Sequence, residues 1–192
     1  MVRNELTFVY NGLTTKVHTF NTYQYSIANI IISGGVECTA YIPSSMIKRM
    51  SVGSVYYSNM VYITAEYNDD NRRSIDVCFR IDRFTESGNI NLSKSGRTSV
   101  RINVLIEKDR YIKYGVQGPM STPFVICNAI SRREDNTFFK VMLMGFYGKV
   151  NLIKNLPNKC FVDVIGYITR RDANKPCYIV VDDVIIRKEY TS

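Results

Sequence analysis

The amino-acid sequence predicts an all-β chain with short helices, built as two small five-stranded barrels in tandem. Three observations predict it: strand-forming residues dominate, apolar residues alternate over short stretches, and the second half repeats the first. The 192 residues include 14 Tyr and 9 Phe beside many Ile and Val, side chains that suit a pleated, half-buried surface. That length fits one large domain or two small ones, and either can bury a working core. Charged residues make up 22% and hydrophobic ones 45%, which marks a globular rather than a disordered chain.

The repeat is weak but ordered. Ile27-Ala28-Asn29-Ile30 is matched by Ile126-Cys127-Asn128-Ala129, Met46 to Met50 by Leu152 to Leu156, and Tyr62-Ile63-Thr64 by Tyr167-Ile168-Thr169. Each last triplet leads into a polar turn, NDDNRR or RDANKP, and then into an alternating stretch, SIDVCFRIDRF or CYIVVDDVIIR. Their common order carries the inference, since single matches this short mean nothing alone.

Each copy reads as the same series of elements. Two strands are predicted around residues 5–10 and 23–32, and again around 100–107 and 123–131. A third follows at 36–42 and at 138–146. Helical spacing then places Met46, Ile47 and Met50 on one face of a helix over 44–50, and Leu152, Ile153 and Leu156 on one over 150–156. Gly53 stops the first helix and Pro157 the second. Two more strands close each copy, 55–67 with 74–84 and 160–170 with 177–187. Five strands with a helix between the third and fourth is the order of an OB-fold.

Between the copies, TESGNINLSKSGRTS (residues 85–99) is rich in Ser, Gly and Asn and reads as a linker, with a short strand at Ile90–Leu92 as an option. The predicted division is a first OB-like domain over 1–88, a linker over 89–99 and a second OB domain over 100–192.

Charge separates the halves. Residues 1–96 carry 9 Lys+Arg against 8 Asp+Glu, whereas 97–192 carry 16 against 9. The net charge of +8 therefore belongs almost entirely to the second half, and a polyanion is the partner such a field attracts. The near-neutral first half suits an oligomer or partner contact instead. Cys38, Cys78, Cys127, Cys160 and Cys177 are odd in number, form no C-x-x-C pair and sit in apolar runs, so buried free thiols are expected rather than disulfides or metal ligands. No apolar run approaches the roughly 20 residues of a membrane helix. MVRNELTFVY lacks a signal-peptide core, so a cytosolic setting is expected.

The second copy resembles the single-stranded DNA-binding proteins of the bacterial type, mainly over residues 137–187. Thr137 to Gly145, with its leading aromatics and apolar end before Gly, is similar to that family's third strand. Phe146-Tyr147-Gly148-Lys149-Val150 leads into the helix, and Lys159 to Arg171, with Val162-Asp163-Val164-Ile165-Gly166, resembles its fourth strand and basic continuation. Two features depart from the family: its acidic, Phe-ended tail has no counterpart in Arg187 to Ser192, and the N-terminal copy is additional. The resemblance implies an OB-fold that binds single-stranded DNA without catalysis, and a four-barrel assembly reached here by a homodimer.

The residues themselves support that chemistry. Unpaired bases stack on aromatic side chains, and the phosphates beside them need Lys or Arg. The second half interleaves the two types: Arg110, Tyr111, Lys113 and Tyr114; Arg132 and Arg133; Phe138 and Lys140; Tyr147 and Lys149; Arg170, Arg171, Lys175 and Tyr178. In an OB-fold these fall on the second and third strands and the flanking loops, the usual binding face. Tyr111 and Tyr114 are read as loop residues. Phe138 and Phe139 are adjacent, so in a strand they point to opposite faces and at least one belongs to the core.

Enzyme chemistry finds no support. His18 is the only histidine, and no His/Cys/Asp cluster has metal spacing. Gly145 to Lys149 has two residues between its glycines where a phosphate-binding loop needs four. Asp182 and Asp183 are neighbours on a strand, so their carboxylates diverge. No cofactor is expected. The leading function is to coat or protect single-stranded DNA in replication, recombination or transfer. Stacking and phosphate contacts serve RNA as well, and OB barrels also act as protein-interaction or assembly modules without nucleic acid.

Overall fold

Alternating inward side chains draw each half of the chain into a barrel, because a strand buried on one face must close on others to cover it. The computed structural model describes all residues except 21–22, 68–73, 89–91, 93–95, 109–110, 119, 134–135, 171–174 and 190–192, and gives backbone alone at 15–20, 23, 67, 74–75, 117 and 188–189. The chain divides into two compact units, Met1–Thr98 and the remainder from Ser99, residues 172–176 excepted. The NDDNRR turn, the strand option at Ile90 and the His18 side chain lie outside the described residues.

The first unit contains β1 (Asn4–Phe20), β2 (Tyr23–Ile32), β3 (Val36–Pro43), α1 (Ser44–Ile47), β4 (Val55–Tyr67) and β5 (Ser74–Glu86). They form a closed barrel in the order β1-β2-β3-β5-β4, with β4 pairing back onto β1. Phe8, Ile30, Ile32, Ile42, Phe79 and Ile81 fill its core. A second apolar cluster, Tyr25, Ile27, Tyr41 and Cys78, is also buried, although register and parity place it on the outside of the β2–β3–β5 wall. Arg80 is buried in the same wall; it pairs with Asp82 at 3.0 Å and lies 4.5 Å over the Tyr62 ring. Leu92 is buried too, and its carbonyl accepts the Gly34 N–H.

The second unit contains β6 (Ser99–Ile106), β7 (Ile112–Gln117), β8 (Thr122–Arg132), β9 (Phe138–Phe146), α2 (Gly148–Lys154), β10 (Cys160–Thr169) and β11 (Tyr178–Glu189). The order is β6-β10-β11-β9-β8-β7, and a β6–β8 pairing at Leu105 and Ile130 closes five of these strands into a barrel. Both units are therefore OB-folds, and each matched sequence pair lands on equivalent elements: the second strand, the helix after the third, and the fourth strand. Val104, Ile106, Val162, Val164, Leu143 and Ile179 are fully buried. Gly166 sits at a register shift between β10 and β11; a Cβ there would lie 2.0 Å from the Val180 carbonyl oxygen, so only glycine fits.

The structure departs from the sequence reading in three places. β1 continues ten residues beyond Tyr10 as the long arm of a hairpin with β2. The helices are shorter or shifted, α1 ending at Ile47 and α2 beginning at Gly148. The stretch read as a loop holding Tyr114 is strand β7, paired with β8 from Ile112–Cys127 to Gln117–Thr122.

Candidate nucleic-acid interface

The outer face of β8 and β9 is set by parity. Val125, Cys127, Ala129 and Ser131 are buried, so the even positions Phe124, Ile126, Asn128, Ile130 and Arg132 look outward. On β9 the buried Phe139, Val141 and Leu143 leave Phe138, Lys140 and Met142 outside. Register then makes neighbours of Arg132 and Phe138, of Ile130 and Lys140, and of Phe124 and Phe146. Phe138 is 58% exposed, while Phe139 fills the core.

β7 widens this face. Lys113 pairs with Ile126 and Gly115 with Phe124, so Lys113, and Tyr111 two residues before it, share the outer side. Both are exposed. Gly115 has a specific role: a Cβ there would come 2.6 Å from Cζ of Phe124, so the missing side chain makes room for that ring. Phe124 in turn lies 6.4 Å from the Phe146 ring.

At the far end stands Tyr147, 64% exposed and with φ 49° and ψ −125°. Non-glycine residues rarely adopt this conformation, which costs about 1–3 kcal/mol. It is held by its N–H on the Pro123 carbonyl, by the Val150 N–H on its own carbonyl, and by its hydroxyl 3.1 Å from Thr122 Oγ1. Lys149 follows, exposed on α2.

The structure therefore gathers Tyr111, Lys113, Arg132, Phe138, Lys140, Tyr147 and Lys149 on or beside one surface. The other candidates go elsewhere. Arg133 is a correction: it is only 7% exposed, because it keeps the inward parity of Ala129 and Ser131, and its N–H closes the turn onto the Thr137 carbonyl. Tyr114 is exposed but shares the parity of its partner Val125, so it points to the opposite side of the hairpin. Arg170 is half-buried and donates from Nε and Nη2 to Cys177 Sγ at 3.4 and 3.3 Å. Lys175 is exposed and Tyr178 half-buried, both at the β10–β11 end. Arg110 and Arg171 lie outside the described residues. The half-buried Phe124, Ile126, Met142 and Phe146 form an apolar floor absent from the candidates above, and the alternation of TPFVICNAISR is its signal in the sequence.

The opposite wall carries a different cluster. Asp163 on β10 is buried and accepts from Arg101 Nε at 3.1 Å, Arg187 Nε at 2.9 Å and Nη2 at 2.7 Å, and Asn103 Nδ2 at 2.9 Å; Arg101 Nη2 also donates to it. Burial pushes this carboxyl up, but the bonds from Asn103, Arg187 and Arg101 outweigh it and hold the pKa at about 2. All five cysteines are buried thiols outside any disulfide. Among the described residues no group of three His, Cys, Asp or Glu is placed to hold a metal, and no helix is long and apolar enough to cross a membrane.

Two solved structures match over nearly the full length. A deletion variant of the single-stranded DNA-binding protein from Thermus aquaticus superposes with a TM-score of 0.65 at 9% identity, covering 100% of this chain and 97% of that one. The wild-type form gives 0.61 at 10%, covering 99% and 96%. This chain shares their fold. No family model matches the sequence, and no curated protein does either.

Proposed function

We propose that this chain binds single-stranded DNA across the outer face of β7, β8 and β9, without catalysis. The observation that carries the reading is the coincidence, on and beside one strand-built surface, of exposed aromatics (Tyr111, Phe138, Tyr147) with cations (Lys113, Arg132, Lys140, and Lys149 on the adjoining helix). The rings stack on bases and the cations follow the phosphates. From Arg132 to Phe124 the face runs about 27 Å at ~3.4 Å per residue, a length suited to the short end of the ~4–16 nucleotides an OB barrel occupies. The shared fold with the Thermus aquaticus protein supports the reading, as does the concentration of positive charge in residues 97–192. The first unit is the contrast: the corresponding outer wall hides Tyr25, Tyr41 and Arg80, and it is proposed as the scaffold or contact half.

In this reading Arg170 and Tyr178 add contacts at the β10–β11 end, away from the β7–β9 face, and the protein coats single strands during replication, recombination or transfer. Titration of labelled single-stranded DNA, RNA and duplex at two salt concentrations tests it. Single-stranded DNA should bind tightest and weaken with salt. Equal affinity for duplex, or no loss when Phe138 and Tyr147 are both replaced by Ala, would sink the proposal.

A further inference from the structure

β11 is longer than the strands around it. It pairs with β10 along nearly its whole length, from Tyr178 to Glu189, but with β9 only at Ile179 and Val180. Beyond Val180, no described strand pairs with its other edge. That edge carries Asp182, Asp183, Ile185, Ile186 and Arg187, all exposed. An open edge with exposed apolar residues is a template for another strand, and proteins usually blunt such edges with charged side chains, Pro or bulges. Here the charges are of opposite sign and symmetrically placed, Asp183 two residues before Ile185 and Arg187 two residues after it.

We propose that β11 pairs antiparallel with β11 of a second copy of this chain, in the register centred on Ile185. The sequence selects that register. With Ile185 opposite its own copy, Asp183 faces Arg187 twice, Val184 faces Ile186 twice and Asp182 faces Lys188 twice, so from Asp182 to Lys188 no like charges or apolar–charged pairs arise. Centring on Val184 instead sets Asp182 against Ile186 and Asp183 against Ile185. Centring on Ile186 sets Ile185 against Arg187. Opposite charges and apolar pairs directly across an antiparallel ladder are the stabilising combinations, and a two-fold contact requires a surface complementary to itself. Arg187 already bonds Asp163 Oδ2 through Nε and Nη2. A guanidinium has five donors, and the Arg187 side chain is 51% exposed, so it can serve Asp163 and the opposing Asp183 together. The paired edges alone are smaller than the ~1,200 Å² of a standard stable interface, so the contact is reversible. It does not rest on the nucleic-acid reading, and its test is done without DNA.

The test is oxidative cross-linking of the full chain. The native cysteines are all buried, which keeps the background low. Ile185→Cys places two thiols across the two-fold at antiparallel cross-strand distance, within disulfide reach, and should give a covalent dimer. Asp183→Cys lies four residues, about 14 Å, from its own copy along the ladder, beyond disulfide reach, and should give no dimer above background. Adding Asp183→Lys to the Ile185→Cys chain sets Lys against Arg187 and should slow cross-linking, less so at high salt. Equal rates at 183 and 185, or no dimer at 185 in a chain that melts like the parent, would overturn the proposal.

Discussion

The Asp163 cluster makes a quantitative prediction about acid stability. Its carboxyl titrates near 3.8 when unfolded and at about 2 in the fold. One pKa unit corresponds to about 1.36 kcal/mol, so the charged carboxylate contributes about 2 kcal/mol to folding. Because the folded value is the lower one, that contribution is fully present above about pH 4 and disappears as pH falls toward 2. Asp163→Asn keeps the size of the side chain but removes the charge that two guanidiniums share. Arg101 and Arg187 are partly exposed and can turn to water, so the loss at pH 7 should stay near 2–3 kcal/mol rather than reach the larger cost of stranded buried charges. Urea unfolding of the whole chain and of the variant, from pH 6 to pH 2, measures this directly. The two stability curves should be separated at pH 6 and converge toward pH 2. Parallel curves across that range would refute the assignment of the linkage to Asp163.

The remaining predictions concern the candidate interface. Tyr147→Gly removes the positive-φ strain and should raise stability by about 1 kcal/mol while weakening binding of single-stranded DNA, so a melt and a titration should move in opposite senses. Phe138→Ala should leave the melt unchanged and cost about 1–3 kcal/mol of binding, whereas Phe139→Ala should lower stability by about 3–5 kcal/mol; equal effects on the melt would contradict their opposite faces. Replacing Lys113, Arg132 and Lys140 together by Ala should flatten the log–log salt slope of single-strand affinity by about 2, at ~0.7 per phosphate contact.

The two barrels were legible because each core strand alternates and each helix follows a third strand, so parity and order were both written in the sequence. β7 was not, because Tyr111 to Gln117 has no alternation of its own. It becomes a strand by pairing with β8 across a turn that uses Gly118 at φ 75°. The β1 extension escaped for a similar reason: Asn11 to Phe20 is mixed and polar, and its pairing with β2 defines it. Arg133 was read from its charge, although the same alternation that buries Cys127 and Ala129 also turns position 133 inward. Tyr114 was grouped with Tyr111 by proximity in sequence, and only the hairpin register separates them. The Asp163 cluster joins three strands across more than eighty residues of chain, from Arg101 to Arg187, a coincidence invisible to any local window.

The closure of the second barrel has a mechanical consequence. β8 is joined to β9 by nine paired positions, from Phe124–Phe146 to Arg132–Phe138. Among the described residues its ladder with β6 is the Leu105–Ile130 rung, beside which the Ser131 hydroxyl donates to the Asn103 carbonyl at 2.8 Å. The barrel is thus a clasped band rather than a continuous hoop, stiff between its two outer-face strands and compliant at one seam. A load applied to the outer face of β8 is shared rung by rung with β9, whereas its ladder to β6 is a single rung, so the seam is where the band should open first under strain.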